Sequence, residues 1–350
     1  MSSRRRRKLF FLAAVLLGLL ILGLLASLSD LRKLAEIGRG LSPGWILLGC
    51  LSGVASFWGF GLCFTALVRR LISPAAVGDV LKIGYVSYTF SEILVSAGLS
   101  GYAVRSVHLT AFGISYLETL VYSLARACIH YAAIFCAFLL SAGLFIPSVP
   151  AGIGEKVLLF QFLLFAGLLA YGARIFTSRV ARSRWVRLAG YVLNSLAKLR
   201  GRRQWFEDRV RRRVEEVTDQ AVHALSALGW RLVWPLLFNS AGLVLRFAAL
   251  SCAFRACGYV VDPAIMVAGF IIGTFWAFLV QIPGQLGAME GATSAVFTAF
   301  GIPFEIAFAA CVLYRLCYSL LPFLLSFVFL PRLAGRTLSS FVRDGTSRED

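Results

Sequence analysis

Long apolar runs alternate along this chain with short polar or basic interludes, and the lengths of the runs carry the first structural information. A helix that crosses a bilayer needs about 20 predominantly apolar residues. Residues 9–28 (LFFLAAVLLGLLILGLLASL) supply such a run, and 44–67, 117–142, 157–173, 232–257 and 304–330 follow it. These predict about six full spans. The first run follows the basic segment Arg4–Lys8 and exceeds the roughly 7–15 residues of a signal-peptide core, so it is expected to stay as an uncleaved helix.

Two further apolar stretches are interrupted. In 83–112 the run reaches Gly98-Leu99-Ser100-Gly101, and only residues 102–112 remain before Gly113. In 264–302 the run ends at Pro283-Gly284-Gln285-Leu286-Gly287, and a short helix leads to Gly301. Backbone broken at membrane depth is tolerated only where protein or a water-lined cavity satisfies it. Both stretches are therefore expected to be re-entrant or broken-helix segments, with backbone breaks at Gly98, Gly101, Pro283, Gly284 and Gly287.

The two segments are related. Thr110-Ala111-Phe112-Gly113-Ile114 recurs as Thr298-Ala299-Phe300-Gly301-Ile302. Each copy follows a broken segment and precedes an apolar helix with one deep arginine, Arg126 or Arg315. The expected fold is an all-α polytopic membrane protein with an inverted repeat. A single integral membrane domain covers 1–350, with a first repeat at about 44–142 and a second at about 232–330. A basic loop at 174–230 separates them, and 331–350 forms a tail.

Composition agrees and adds a side of the membrane. The chain is 59% hydrophobic and 15% charged, with a mean hydropathy of +0.80, where soluble domains have about 25% charged residues. The formal charge of +18 does not indicate nucleic acid, because the positives flank the apolar runs. They sit at Arg4–Lys8, at Arg69 and Arg70, and densely from Arg174 to Arg213. With 83–112 as a hairpin, the amino terminus, the basic loop and the Arg332/Arg336/Arg343 tail all fall on the cytoplasmic side, as the positive-inside rule favours. From Trp205 to Val210 onward the loop reads either as an amphipathic surface helix or as a solvated linker.

Charged side chains inside apolar runs mark the candidate chemistry, since each costs on the order of 3 kcal/mol at bilayer depth. Glu118, Tyr122, Arg126 and His130 recur every fourth residue and share one helix face, which lines either a cavity or an interhelical network. Arg105 and His108 follow the first break by about a turn. A guanidinium beside a helix start suits an anionic oxygen, although Arg105 also has the length to snorkel to the interface. Glu290 lies just inside the helix after the second break, where the dipole favours it and where it can pair with Arg315 or exchange a proton. Arg315 stands with Tyr314 and Tyr318 ahead of Pro322, which can bend that helix. Arg246 and Arg255 receive no role.

The eight cysteines fall inside apolar runs without a CxxC pair, and the three histidines do not cluster with them, so neither a disulfide framework nor a metal site is expected. No HExxH or Walker sequence occurs, so no enzymatic activity and no cofactor are assigned.

Residues 281–322, QIPGQLGAMEGATSAVFTAFGIPFEIAFAACVLYRLCYSLLP, resemble a family signature. It reads P-x-G-x-G-x-x-E, then G-[VI]-P, then a tyrosine/arginine helix ending in proline. Residues 84–130 are similar to the same family's earlier glycine-and-arginine segment. The family is the lysylphosphatidylglycerol synthase transmembrane-region family of flippase-like bacterial and archaeal membrane proteins. The resemblance implies a multi-pass protein of the bacterial inner membrane that moves a phospholipid or lipid-linked anionic substrate between leaflets, and the charge pattern places both termini on the cytoplasmic side. It implies that Glu290, Arg315 and Arg105 are the characteristic charged residues, and Gln285 departs from the pattern where a second glycine is common. The resemblance includes no soluble aminoacyl-transfer domain, so lipid aminoacylation is not carried over. The expected substrate-binding set is Arg105, Arg126, Arg315, Glu290, Glu118, His130 and Tyr318. The expected partners are membrane phospholipid or a lipid-linked substrate and an envelope-lipid biosynthetic enzyme. The alternative is a membrane-embedded transferase or accessory subunit of lipid or glycolipid biosynthesis.

Overall fold

The computed structural model describes residues 30–94, 99–145, 153–199, 208–280, 285 and 287–346, together with 16, 20, 23, 24 and 27. These residues are helical with short turns, and no strand occurs among them. Four of the helices are long and apolar enough to span a bilayer, at Pro43–Val68, Tyr116–Leu144, within Arg212–Ala256, and at Phe304–Gly335. Leu159–Ile175 is a shorter apolar helix at the expected 157–173 run. Most of the expected first span, 9–28, lies outside the described residues.

In chain order the helices are α1 (Leu31–Arg39), α2 (Pro43–Val68), α3 (Val77–Ile93), α4 (Leu99–Leu109) and α5 (Tyr116–Phe145). Then come α6 (Ile153–Thr177), α7 (Arg179–Leu199), α8 (Asp208–Leu228) and α9 (Val233–Ala256). The chain continues with α10 (Pro263–Val280), α11 (Ala288–Ala299), α12 (Phe304–Arg315) and α13 (Leu321–Thr346). At 1.5 Å per residue, α4 and α11, with 11 and 12 residues, are too short to cross a hydrocarbon core of about 30 Å. Each packs back on its partner, α4 on α3 and α11 on α10. These are the two broken segments.

The five-residue repeat has one geometry in both copies. Gly113 and Gly301 have φ of +77° and +86°. Their N–H groups donate to the carbonyls of Thr110 and Thr298 at 3.0 and 2.9 Å. The next residues, Ile114 and Ile302, donate to Leu109 and Phe297 at 3.2 and 3.1 Å. This is a Schellman cap, which needs a left-handed residue and hence glycine. Ile114, Ile302, Leu109 and Phe297 are all buried, so each cap closes over an apolar plug.

The helices that begin the two halves, α2 and α9, run antiparallel. Ser42 N donates to Ala256 O at 3.1 Å, and Ser56 Oγ donates to Gly242 O at 2.8 Å. The ends of the halves are exchanged. α5, from the first half, packs on α10 of the second, with Ser141 Oγ donating to Ala264 O at 3.0 Å. α13, from the second half, packs on α3 of the first, with Tyr85 OH donating to Pro322 O at 3.1 Å. Each half thus covers the other's broken segment. Leucines such as Leu47, Leu140, Leu163 and Leu324 remain exposed around the bundle, as lipid-facing positions must be apolar.

The 174–230 region folds back on this bundle. Trp205, Phe206 and Glu207 lie outside the described residues. In α8, the apolar face of Val217, Ala221, Leu225 and Leu228 packs against Cys63 and Leu67 of α2 and Val121, Ala125 and Ile129 of α5. Its apolar stripe is covered by protein rather than by a membrane surface. Arg182 Nε–Asp219 Oδ1 at 2.5 Å and Ser183 Oγ–Glu215 Oε1 at 3.0 Å join α7 to it.

Candidate functional site

The first broken segment positions an arginine between helices. Gly98 lies outside the described residues. Gly101 is buried where α4 crosses α3, and a Cβ there would collide with Ser91 Oγ and with the Ser87 carbonyl oxygen. Only glycine allows this approach. One turn on, Arg105 is 4% exposed, so it does not snorkel to the interface. Its Nε donates to Ser123 Oγ of α5 and its Nη1 to Ser87 Oγ of α3, both at 3.0 Å, while its guanidinium lies 5.3 Å from the Phe64 ring of α2.

Arg126 lies over the Tyr88 ring at 4.1 Å. Its Nε and Nη1 are buried without a hydrogen-bond partner, and so is Tyr88 OH. His130 Nδ1 lies 3.0 Å from Asn239 Oδ1 on α9, with its ring edge-on to Phe60. Neither Arg105 nor Arg126 has a carboxylate within 4.0 Å among the described residues.

The second broken segment carries a compensated arginine. Pro283 and Gly284 lie outside the described residues. Gln285 and Gly287 have φ of +51° and +74°, so the loop is left-handed at both. Gln285 takes that conformation without being glycine. Glu290 is 2% exposed, and its Oε1 lies 3.2 Å from Arg315 Nε. Arg315 Nη1 also donates to Gln285 O at 3.4 Å, tying the arginine to the loop itself. Among the described residues, Glu290 Oε2 and Thr293 Oγ1 are buried without a hydrogen-bond partner. Immediately after Arg315, residues Leu316–Leu320 form a π turn, a feature that interrupts the helical hydrogen-bond ladder and recurs at functional sites. Within it Tyr318 stacks on Tyr314 at 5.0 Å.

One pair joins residues far apart in the sequence. Arg246 Nη2 lies 3.4 Å from Glu92 Oε1, and Arg246 Nε donates to Tyr314 OH at 3.1 Å. Its guanidinium also sits 4.8 Å from the Tyr318 ring. Glu92 belongs to α3 and Arg246 to α9, so the pair crosses between the halves. A lone carboxylate in the run YVSYTFSEILVSA was the available signal.

These groups form one polar seam. Tyr88 and Glu92, four residues apart on α3, meet Arg126 and Arg246 respectively. Asn239 and Arg246 lie seven residues apart on α9 and meet His130 and Tyr314. Tyr314 adjoins Arg315. The structure thus brings together Arg105, Arg126, His130, Tyr318, Glu290 and Arg315. Glu118 stands at the seam's outer end, where Ser115 and Glu118 make a capping box. Ser115 N and Oγ donate to Glu118 Oε2 at 2.8 Å, and Glu118 N donates to Ser115 Oγ at 3.2 Å.

The model for the lysylphosphatidylglycerol synthase TM region matches residues 11–326. The chain belongs to that family. No match was found among curated proteins. Membership covers both broken segments and the whole seam, and it agrees with a multi-pass membrane protein.

Proposed function

We propose that this protein moves a phospholipid or lipid-linked anionic substrate between the leaflets of the bacterial inner membrane, with both termini cytoplasmic. The observation that carries this reading is a charge asymmetry along the seam. Arg246 and Arg315 have carboxylates, Glu92 and Glu290, at 3.4 and 3.2 Å, whereas Arg105 and Arg126 have none among the described residues. Burying a cation without a counter-ion is costly, and a charge-carrying ligand explains its retention better than packing does. A headgroup phosphate passing along the seam would meet those two guanidiniums, while its acyl chains remain in lipid.

The paired arginines suit a different role. An ion pair whose Glu290 Oε2 has no hydrogen bond can exchange its partner or a proton as the loop moves. No nucleotide-binding motif occurs in the sequence, so the reading is of passive or ion-coupled movement. Phospholipid is the partner it requires, and an envelope-lipid biosynthetic enzyme would supply or consume that lipid.

Proteoliposomes test the reading. A fluorescent anionic phospholipid in the inner leaflet should become accessible to a membrane-impermeant quencher faster with the protein than in protein-free vesicles. Equal rates would overturn the proposal. Formation of a covalently altered lipid by purified protein would instead support the transferase alternative.

A further inference from the structure

A second polar site lies at the outer end of the seam. A cleft of about 290 Å³ opens between the end of α2, the start of α5 and the end of α8. Arg70, Glu118, Tyr122, Gln220 and His223 line it, over an apolar floor that includes Leu67 and Leu228. The volume is at the lower end of ligand-pocket sizes, about 300 Å³, and suits a headgroup better than a whole lipid.

Two charges of opposite sign face this cleft without pairing. Arg70 and Glu118 both line it, yet no contact within 4.0 Å joins them. Arg70 Nη1 reaches Ala227 O at 3.4 Å, and Glu118 uses Oε2 to cap α5. Opposite charges held apart in one cleft match a ligand that carries both signs.

Depth identifies the kind of molecule. Arg69 and Arg70 follow the last residue of the spanning helix α2, and Glu118 lies in the first turn of the spanning helix α5. Trp230 and Trp234, just beyond Leu228, are exposed at 75% and 50%. Exposed tryptophans at the end of a span mark headgroup level. Tyr122, on the cleft wall, stands one turn from Arg126, so the cleft lies beside the seam.

We infer that this cleft binds the headgroup of a zwitterionic aminophospholipid, its phosphate at Arg70 and His223 and its primary ammonium at Glu118. A primary ammonium donates hydrogen bonds to a carboxylate, and a quaternary one does not. This rests on the translocation reading only for where the lipid goes next; binding stands by itself.

Native mass spectrometry of the full-length protein, equilibrated with equal phosphatidylethanolamine, phosphatidylglycerol and phosphatidylcholine, tests the assignment. Phosphatidylethanolamine should be retained roughly tenfold over the other two. Glu118→Gln keeps the capping geometry, since glutamine also serves at that position, and should abolish the preference. Arg70→Gln should reduce retention of phosphatidylethanolamine as well. Equal retention of the three lipids by the wild type, or a preference untouched by Glu118→Gln, would overturn the inference. Selective retention without leaflet movement in proteoliposomes would uphold this site while refuting translocation.

Discussion

Arg315→Met is expected to destabilise the protein by about 3–5 kcal/mol, the range for breaking a buried ion pair from one side. Glu290 is 2% exposed and already has one oxygen without a partner. Removing the cation leaves a carboxylate in an apolar interior with only backbone contacts. It also frees the Gln285 carbonyl, which anchors the broken loop to the α12 end at 3.4 Å. Removing the charge on both sides, Arg315→Met with Glu290→Gln, should recover a large part of the loss, because neither member of the pair is then left as a lone buried charge. Thermal melts in detergent check this. A double variant no more stable than the single one would show that the loop geometry, rather than the charge, dominates.

Gly101→Ala should be the second large effect, about 1–3 kcal/mol, as for overpacking at a close contact. Ser91 can swing its hydroxyl away, but the Ser87 carbonyl belongs to the α3 backbone and cannot. Ser87 Oγ also holds Arg105 at 3.0 Å, so parting α4 from α3 displaces that guanidinium and should slow translocation as well. Gly167→Ala on α6, where nothing lies within 4 Å of the new methyl, is the control. It should match the wild type or gain slightly from helix propensity. Equal melts for the two variants would remove the close-packing account of the first break.

What the sequence made legible follows from which forces are local. Span lengths depend on runs of apolar residues, so α2, α5, α9 and the α12–α13 helix were expected near their observed positions. Glycine breaks and the TAFGI repeat are also local, and the shared Schellman cap shows why the repeat needs its glycine. Arg126 and His130 were placed on one inward face by helical spacing alone. The Glu92–Arg246 pair was not legible, because its partners are 154 residues apart and nothing local to Arg246 reveals its mate. The docking of α8 was hidden for a similar reason. An amphipathic stripe states that something apolar covers it, and only the tertiary contacts with Cys63, Leu67 and Val121 say that protein does. Helical spacing places Glu118 on the stripe, and the cap it forms with Ser115 adds a structural duty to its place on the cleft wall.

The proposed translocation requires that the uncompensated arginines be kept for a ligand and not for the fold. Arg126→Gln separates the two roles, because among the described residues Arg126 has neither an ion pair nor a hydrogen bond at Nε or Nη1 to lose, only its contact with the Tyr88 ring. The measurement is the leaflet-exchange rate of a fluorescent anionic phospholipid in proteoliposomes, with the thermal melt of the same preparation. The expected result is a melt at or above that of the wild type and exchange slowed by roughly tenfold or more, the equivalent of about 1.4 kcal/mol in the barrier. Wild-type exchange by a normally folded Arg126→Gln protein would contradict it.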